Sequence, residues 1–196
     1  MTHESANIQE LRPQLEQLHK ASFGWALSCC SLDRGMAEEV LQRVYLKILE
    51  GKAPFEERST FKTWLFAVIR KTAAEEYRRR VIHRLRFLGI DQAIEFRSND
   101  DQPDESIEQA DLQEIFRGAL GLLPKRQGEV IHLVFYQDMT IEESANVLGI
   151  SVGSARTHYE RGKRKLREQL EQSKDFHETR ITRPTHSESI PEAQTR

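Results

Sequence analysis

Seven side chains, Ser154, Arg156, Thr157, His158, Arg161, Arg164 and Lys165, are spaced so that one helix brings them to one side. Hydroxyl, imidazole and guanidinium groups near a helix start can meet base edges in a major groove, and the later cations can reach phosphates. Such a helix reads duplex DNA, and the elements that must position it surround it in sequence. Thr140 and Glu143 have capping-box spacing, so a short helix starts there and buries Ile141, Ala145 and Leu148. Gly149 supplies the positive φ that ends it. Ser151 caps the next helix, in which Val152, Ala155, Tyr159, Gly162, Leu166 and Leu170 recur at three- and four-residue steps and face inward. Met139 to Leu170 is thus a helix, a tight turn and a second helix with a densely basic outer face. Periodicity and charge alone leave another reading open, a helical hairpin whose charged face is merely solvated.

A net charge of −2 is odd for a protein that clings to nucleic acid by itself, so the distribution of charge matters more. Arg58 to Arg86 holds nine Lys and Arg against Glu75 and Glu76, and Arg156 to Arg167 holds six against Glu160. Between them, Asp91 to Glu114 carries nine carboxylates against Arg97 alone. Two nucleic-acid surfaces joined by an acidic linker would segregate charge in this way. In the first block Phe61, Lys62, Trp64, Arg70, Lys71, Tyr77, Arg78, Arg79 and Arg80 interleave rings with cations, which suits unstacked bases and their backbone. Phe61, Trp64 and Leu65 also fit a buried helical stripe, and Trp64 is assigned to the core. Arg70, Lys71, Arg78 and Arg79 are assigned to DNA, because burying unpaired charge is costly.

Helical periods account for the rest. Ile8, Leu11, Leu15, Leu18, Ser22, Trp25 and Cys29 form one stripe, broken only by Ser22. Val40, Leu41, Val44, Tyr45 and Ile48 line a second helix from about Met36 to Leu49, ended by Gly51. Ser59 or Thr60 caps a third, with Phe61, Trp64, Leu65, Val68 and Ile69 inward. Leu112, Ile115, Phe116, Ala119 and Leu123 form a helix stopped by Pro124, which opens the next one through Tyr136. Gly128 inside that helix costs about 1 kcal/mol relative to Ala, so the helix relies on packing. The expected fold is all-α: a helical domain at 1–88, a flexible acidic linker at 89–106, a helix-turn-helix domain at 107–171 and a disordered tail at 172–196.

With 38% hydrophobic and 31% charged residues and no eighteen-residue apolar run, the chain reads as soluble and helix-rich, without membrane insertion or a signal peptide. Cys29 and Cys30 are adjacent, without zinc-ligand spacing or the usual disulfide geometry, and read as small core residues in a reducing cytoplasm. The histidines, including His19, His83 and His132, lack a partner at catalytic or metal-ligand spacing, and no glycine-rich phosphate loop appears. No catalytic residue, metal or cofactor is expected.

Three passages in order resemble the extracytoplasmic-function group of sigma-70-type factors, which direct bacterial RNA polymerase to promoters. EEVLQRVYLKIL, Glu38 to Leu49, is similar to the segment that docks on the clamp helices of the polymerase β′ subunit. STFKTWLFAVIRKTAAEEYRRR, Ser59 to Arg80, is similar to the segment that melts and reads the minus-10 element. Leu123 to Leu170 resembles the domain that reads the minus-35 element. The resemblance implies an alternative sigma factor that binds core polymerase through the β′ clamp helices and the β flap. Glu38, Glu39, Gln42, Arg43, Tyr45 and Lys47 would contact the core, and Lys62, Arg70, Lys71, Tyr77, Arg78, Arg79 and Arg80 the minus-10 region. Ser154, Arg156, Thr157, His158, Arg161, Arg164 and Lys165 would read minus-35. It also implies an anti-sigma partner, a linker passing along the polymerase RNA path, and single-strand reading by the loop near Gly51 to Thr60. Arg43 for a common Glu, Lys71 for Asn, His158 for Arg, and the acid Glu160 depart from the pattern and bear on promoter sequence. A free-standing helix-turn-helix regulator, footprinting a two-fold operator alone, is the alternative.

Overall fold

The computed structural model describes residues 3–88, 118 and 120–181, and every regular element among them is helical. Helix α1 spans His3–Cys29, α2 Arg34–Leu49, α3 Phe61–Leu88, α4 Lys125–Phe135, α5 Ile141–Leu148 and α6 Val152–Ile181. The side chain of Ile8, the linker 89–106, residues 107–117 with Ala119, and everything from 182 on fall outside the described residues, and with them most of the helix expected from Leu112.

Helices α1, α2 and α3 pack pairwise into one bundle around Trp25, Val40, Val44, Leu65, Phe66 and Ile69, none of which reaches solvent. Trp25 anchors it twice, donating its indole N–H to the Phe66 carbonyl at 3.0 Å and stacking on the Phe66 ring at 6.1 Å. Asp33 opens α2 by accepting from the Met36 amide at 2.8 Å, a cap the periodicity did not reveal. Thr60, one of the two residues expected to cap α3, accepts from the Thr63 amide at 3.2 Å.

Helices α4, α5 and α6 form the second bundle, and its turn chemistry follows the sequence. Thr140 and Glu143 complete the capping box, and Gly149 takes the left-handed conformation at φ 61°. Ser151 accepts from the Ser154 amide at 3.1 Å. Gly162 lies where α6 crosses α4 so closely that a Cβ would meet Ile131 at 3.0 Å. Ala155 and Leu166 are buried beside it.

Two expectations are corrected. Val152 is 41% exposed, because it stands in the first turn of α6, ahead of the crossing with α4. Pro124 precedes the helix Lys125–Phe135 instead of forming its first residue. Helix α6 runs on to Ile181, through helix-forming Gln, Lys and Glu with no Pro before Pro184.

The two bundles also pack on each other. Val130, Leu133, Met139, Val147 and Leu148 join the same apolar cluster as Trp25 and Phe66, with α3 lying against α5 and α1 against α4.

Candidate nucleic-acid interface

Helix α6 buries its small and apolar side and leaves its cations to solvent. Ser154, Arg156, Thr157, Arg161, Arg164 and Lys165 are all exposed, and among the described residues no carboxylate pairs with any of the four cations. The Thr157 hydroxyl donates back to the Gly153 carbonyl at 2.9 Å, and the Ser151 hydroxyl donates to Ser154 at 2.9 Å, so both groups are oriented at the helix start. Lys163 instead lies over the Tyr159 ring, 5.8 Å from its centre, and that ring stacks on Phe135. His158 departs from the expected outer face. It is half-buried, with Nδ1 enclosed and unpartnered, and its charge bears on Glu129 of α4. The spacing explains this, since His158 follows Ala155 by three residues and precedes Gly162 by four, the period of the inner stripe.

The cations of α3 are placed differently. Lys62 donates to the Gln137 carbonyl in the turn after α4 and sits 5.7 Å from the centre of the Phe66 ring. Arg70 lies 3.5 Å from Glu129, a carboxylate only 4% exposed whose burial pushes its proton affinity up against the pull of Arg70. Arg79 reaches Glu76 at 2.8 Å, and Arg80 reaches Glu39 at 2.7 Å and Glu76 at 3.4 Å. Glu76 is 2% exposed and also takes Arg43 of α2 at 2.8 Å, which ties α2 to α3. The Arg80 hydrogen bond, aided by Arg43, holds the Glu39 carboxyl below the usual carboxylate range. Lys71, Arg78 and Tyr77 remain exposed on the same helix. Ahead of it, Phe55 packs edge-on against Phe61 at 5.4 Å and against Trp64 at 5.2 Å. That cluster fixes the loop that leads into α3, with Trp64 half-buried in it.

On α2, Glu38 is exposed and paired with Arg34 at 3.1 Å, and Gln42 is exposed. Glu39 and Arg43 belong to the Glu76 network, so Glu39 is not the simply solvated carboxylate its position suggests. Lys47 binds Glu75 at 2.7 Å and Thr72 at 3.1 Å, and lowers the Glu75 carboxyl. Tyr45 shares a 2.9 Å hydrogen bond with His19, and burial raises its phenol. Leu46 at 55% and Leu49 at 49% exposure stand on the outer side of α2, and Leu46 lines an open groove of about 420 Å³ together with Arg43, Lys47, Thr72 and Arg79. Sequence reasoning missed both leucines. Their signal was present, because each falls off the inward stripe of Val40, Leu41, Val44 and Ile48.

An all-helical chain with one bundle offering aromatics and arginines and another offering an exposed basic helix after a capped turn has the make-up of a DNA-binding protein. Residues 15–81 match Sigma-70 region 2 and residues 119–168 match Sigma-70 region 4. The chain is 34% identical over 142 residues to the ECF RNA polymerase sigma factor SigX of Bacillus subtilis (strain 168), covering 71% of this chain and 73% of that one. It is 26% identical over 139 residues to the RNA polymerase sigma factor YlaC of the same organism, covering 71% and 80%. Among solved structures it is similar to the sigma factor RpoE, in complex with the anti-sigma factor NepR, from Bartonella quintana. That likeness has a TM-score of 0.68 and 26% identity over 83% of this chain and 98% of the other. The chain belongs to the extracytoplasmic-function sigma factors of the sigma-70 family. It is an alternative sigma factor that binds core RNA polymerase and directs promoter recognition, melting and transcription initiation, and the free-standing regulator is set aside. No helix among the described residues is long and apolar enough to cross a membrane.

Proposed function

We propose that α6 enters the minus-35 major groove with Ser154, Arg156 and Thr157 toward base edges, and with Arg161, Arg164 and Lys165 toward phosphates. The observation that carries this is the row of exposed cations that pair with no carboxylate among the described residues, on a helix whose opposite side is packed. His158 stands at the edge of this surface. Helix α3, with Lys62, Arg70, Lys71, Tyr77, Arg78, Arg79 and Arg80, engages the minus-10 region, where Lys71 and Arg78 face solvent and Arg79 is exposed while paired with Glu76. Glu38, Glu39, Gln42, Arg43, Tyr45 and Lys47 of α2 form the face toward core polymerase, extended by Leu46 and Leu49. Residues 1–88 and 107–171 act as the two DNA-reading domains, with 89–106 as the tether. The chain works in the cytoplasm, contributes no catalysis of its own, and has an anti-sigma factor as its natural inhibitor. Support for that partner comes from the likeness to a sigma factor solved with NepR.

Nuclease footprinting of the holoenzyme on a promoter tests the assignment of α6. Arg156→Ala should weaken protection at minus-35 and relax base preference there while the minus-10 footprint persists. Unchanged affinity and preference would show that Arg156 makes no base contact.

A further inference from the structure

We propose that the two hydroxyls assigned to base edges on α6 have fixed and opposite polarity: Thr157 accepts from the amino group of adenine or cytosine, and Ser154 donates to the keto oxygen of guanine or thymine. The inference rests on the reading of α6 as the minus-35 helix.

A hydroxyl has one hydrogen to donate and two lone pairs to accept with, so its polarity in a groove depends on where that hydrogen already points. The Thr157 hydrogen is taken by the Gly153 carbonyl at 2.9 Å, an oxygen that can only accept. Thr157 is exposed, so its lone pairs are what it offers outward. Ser154 is in the reverse state. Ser151 accepts from the Ser154 amide at 3.1 Å and donates its own hydroxyl hydrogen to Ser154 Oγ at 2.9 Å. Ser154 thus accepts within the helix, and no acceptor among the described residues takes its hydrogen. Turning either hydroxyl around means breaking a formed hydrogen bond, so the wrong base is penalised as well as the right one favoured. Arg156 can only donate, which leaves Thr157 as the one group of the three with no hydrogen to offer.

Amino and keto groups occupy the same place in the major groove, adenine N6 matching guanine O6 and cytosine N4 matching thymine O4. A fixed acceptor therefore separates adenine from guanine and cytosine from thymine, and a fixed donor does the opposite. The spacing of three residues puts the two Cβ atoms about 5 to 6 Å apart. The bases they read then lie within about two steps of roughly 3.4 Å each. Ser151 is the positioning residue, since it acts on the base only through Ser154.

Holoenzyme assembled from core polymerase and the full-length chain is selected on a mapped promoter whose minus-35 box is randomised, and the bound sequences are counted. Wild type should prefer amino over keto bases about tenfold at one position of one strand, and show the reverse preference within two steps of it. Thr157→Val, which keeps the shape without lone pairs, should flatten the first preference alone, and Thr157→Ser should restore it. Ser154→Ala should flatten the second alone. Ser151→Asp keeps the helix cap with an acceptor that has no hydrogen to donate, so it draws in the Ser154 hydrogen and should turn the second preference toward amino bases. Its added charge weakens binding to all sequences alike, and the ratio between bases is the readout. A keto preference at the Thr157-dependent position, or Ser151→Asp without inversion, overturns the fixed polarity. Arg156→Ala separates the two levels. If it alone alters minus-35 preference, only the roles of the hydroxyls fall, whereas if it and both hydroxyl variants leave that preference unchanged, the reading of α6 falls with them.

Discussion

The two basic blocks look alike in sequence but differ in how many of their cations are paired in the folded chain. On α3, Lys62, Arg70, Arg79 and Arg80 each have a carbonyl or carboxylate partner, two within their own bundle and two across the junction. On α6, Arg156, Arg161, Arg164 and Lys165 have no ion-pair partner among the described residues. A cation already paired with a buried carboxylate supports the fold, and its transfer to phosphate requires giving up that pair. A cation left in water is available from the start. Charge counted along a sequence is therefore an upper limit on charge that DNA can use, and the partners decide how much of it remains.

The largest expected effect attacks the paired side. Glu76→Ala leaves Arg43, Arg79 and Arg80 without their shared buried acceptor, and should destabilise the chain by about 3 kcal/mol in urea unfolding, moderated because the arginines are partly exposed. A loss below about 0.5 kcal/mol would mean that the network is solvated and its arginines are as available as those of α6.

Acid should loosen the junction next. Burial holds the His132 imidazole down at about 4, against roughly 6.5 for the unfolded residue. The unfolded chain then binds the extra proton between these values, so stability from this group is intact above pH 6.5 and falls by up to about 3 kcal/mol as the pH drops to 4. Glu129, raised by burial, offsets part of the loss because its proton is favoured in the folded chain. Unfolding free energies measured across this range should decline, and His132→Asn should flatten the decline.

The unpaired side should respond in the reverse way. Arg156→Ala should change folding stability by less than about 0.5 kcal/mol yet cost about 1 to 3 kcal/mol in minus-35 recognition by the holoenzyme. Arg79→Ala, removing one member of the Glu76 network, should instead register mainly in unfolding. The smallest effect concerns the turn that aims α6: Thr140→Ala removes one half of the capping box and should cost about 1 kcal/mol of stability, read from the unfolding midpoint.

Local chemistry was the legible part of this chain. The Thr140 and Glu143 box, the Gly149 stop, the Ser151 cap and the inward run of Ala155, Gly162 and Leu166 depend on neighbours within one turn, and residue type reveals them. Buried polar groups were not legible. Glu76, Glu129, Gln137 and Thr72 read as solvent-facing by composition, and their burial depends on partners brought together by tertiary packing. The outer leucines Leu46 and Leu49 and the inward lean of His158 could have been read from helical phase. The closure of one bundle on the other could not, because Lys62 and Gln137 are joined by a contact across 75 positions of chain with no local signature.

Transcription by purified core polymerase on a pool of genomic promoter fragments, with 5′ ends sequenced, tests the central claim most directly. Specific starts that require both the core and this chain, with two shared sequence boxes upstream, are the predicted result. No starts and no core binding, together with sequence-specific footprints made by the chain alone, would contradict it.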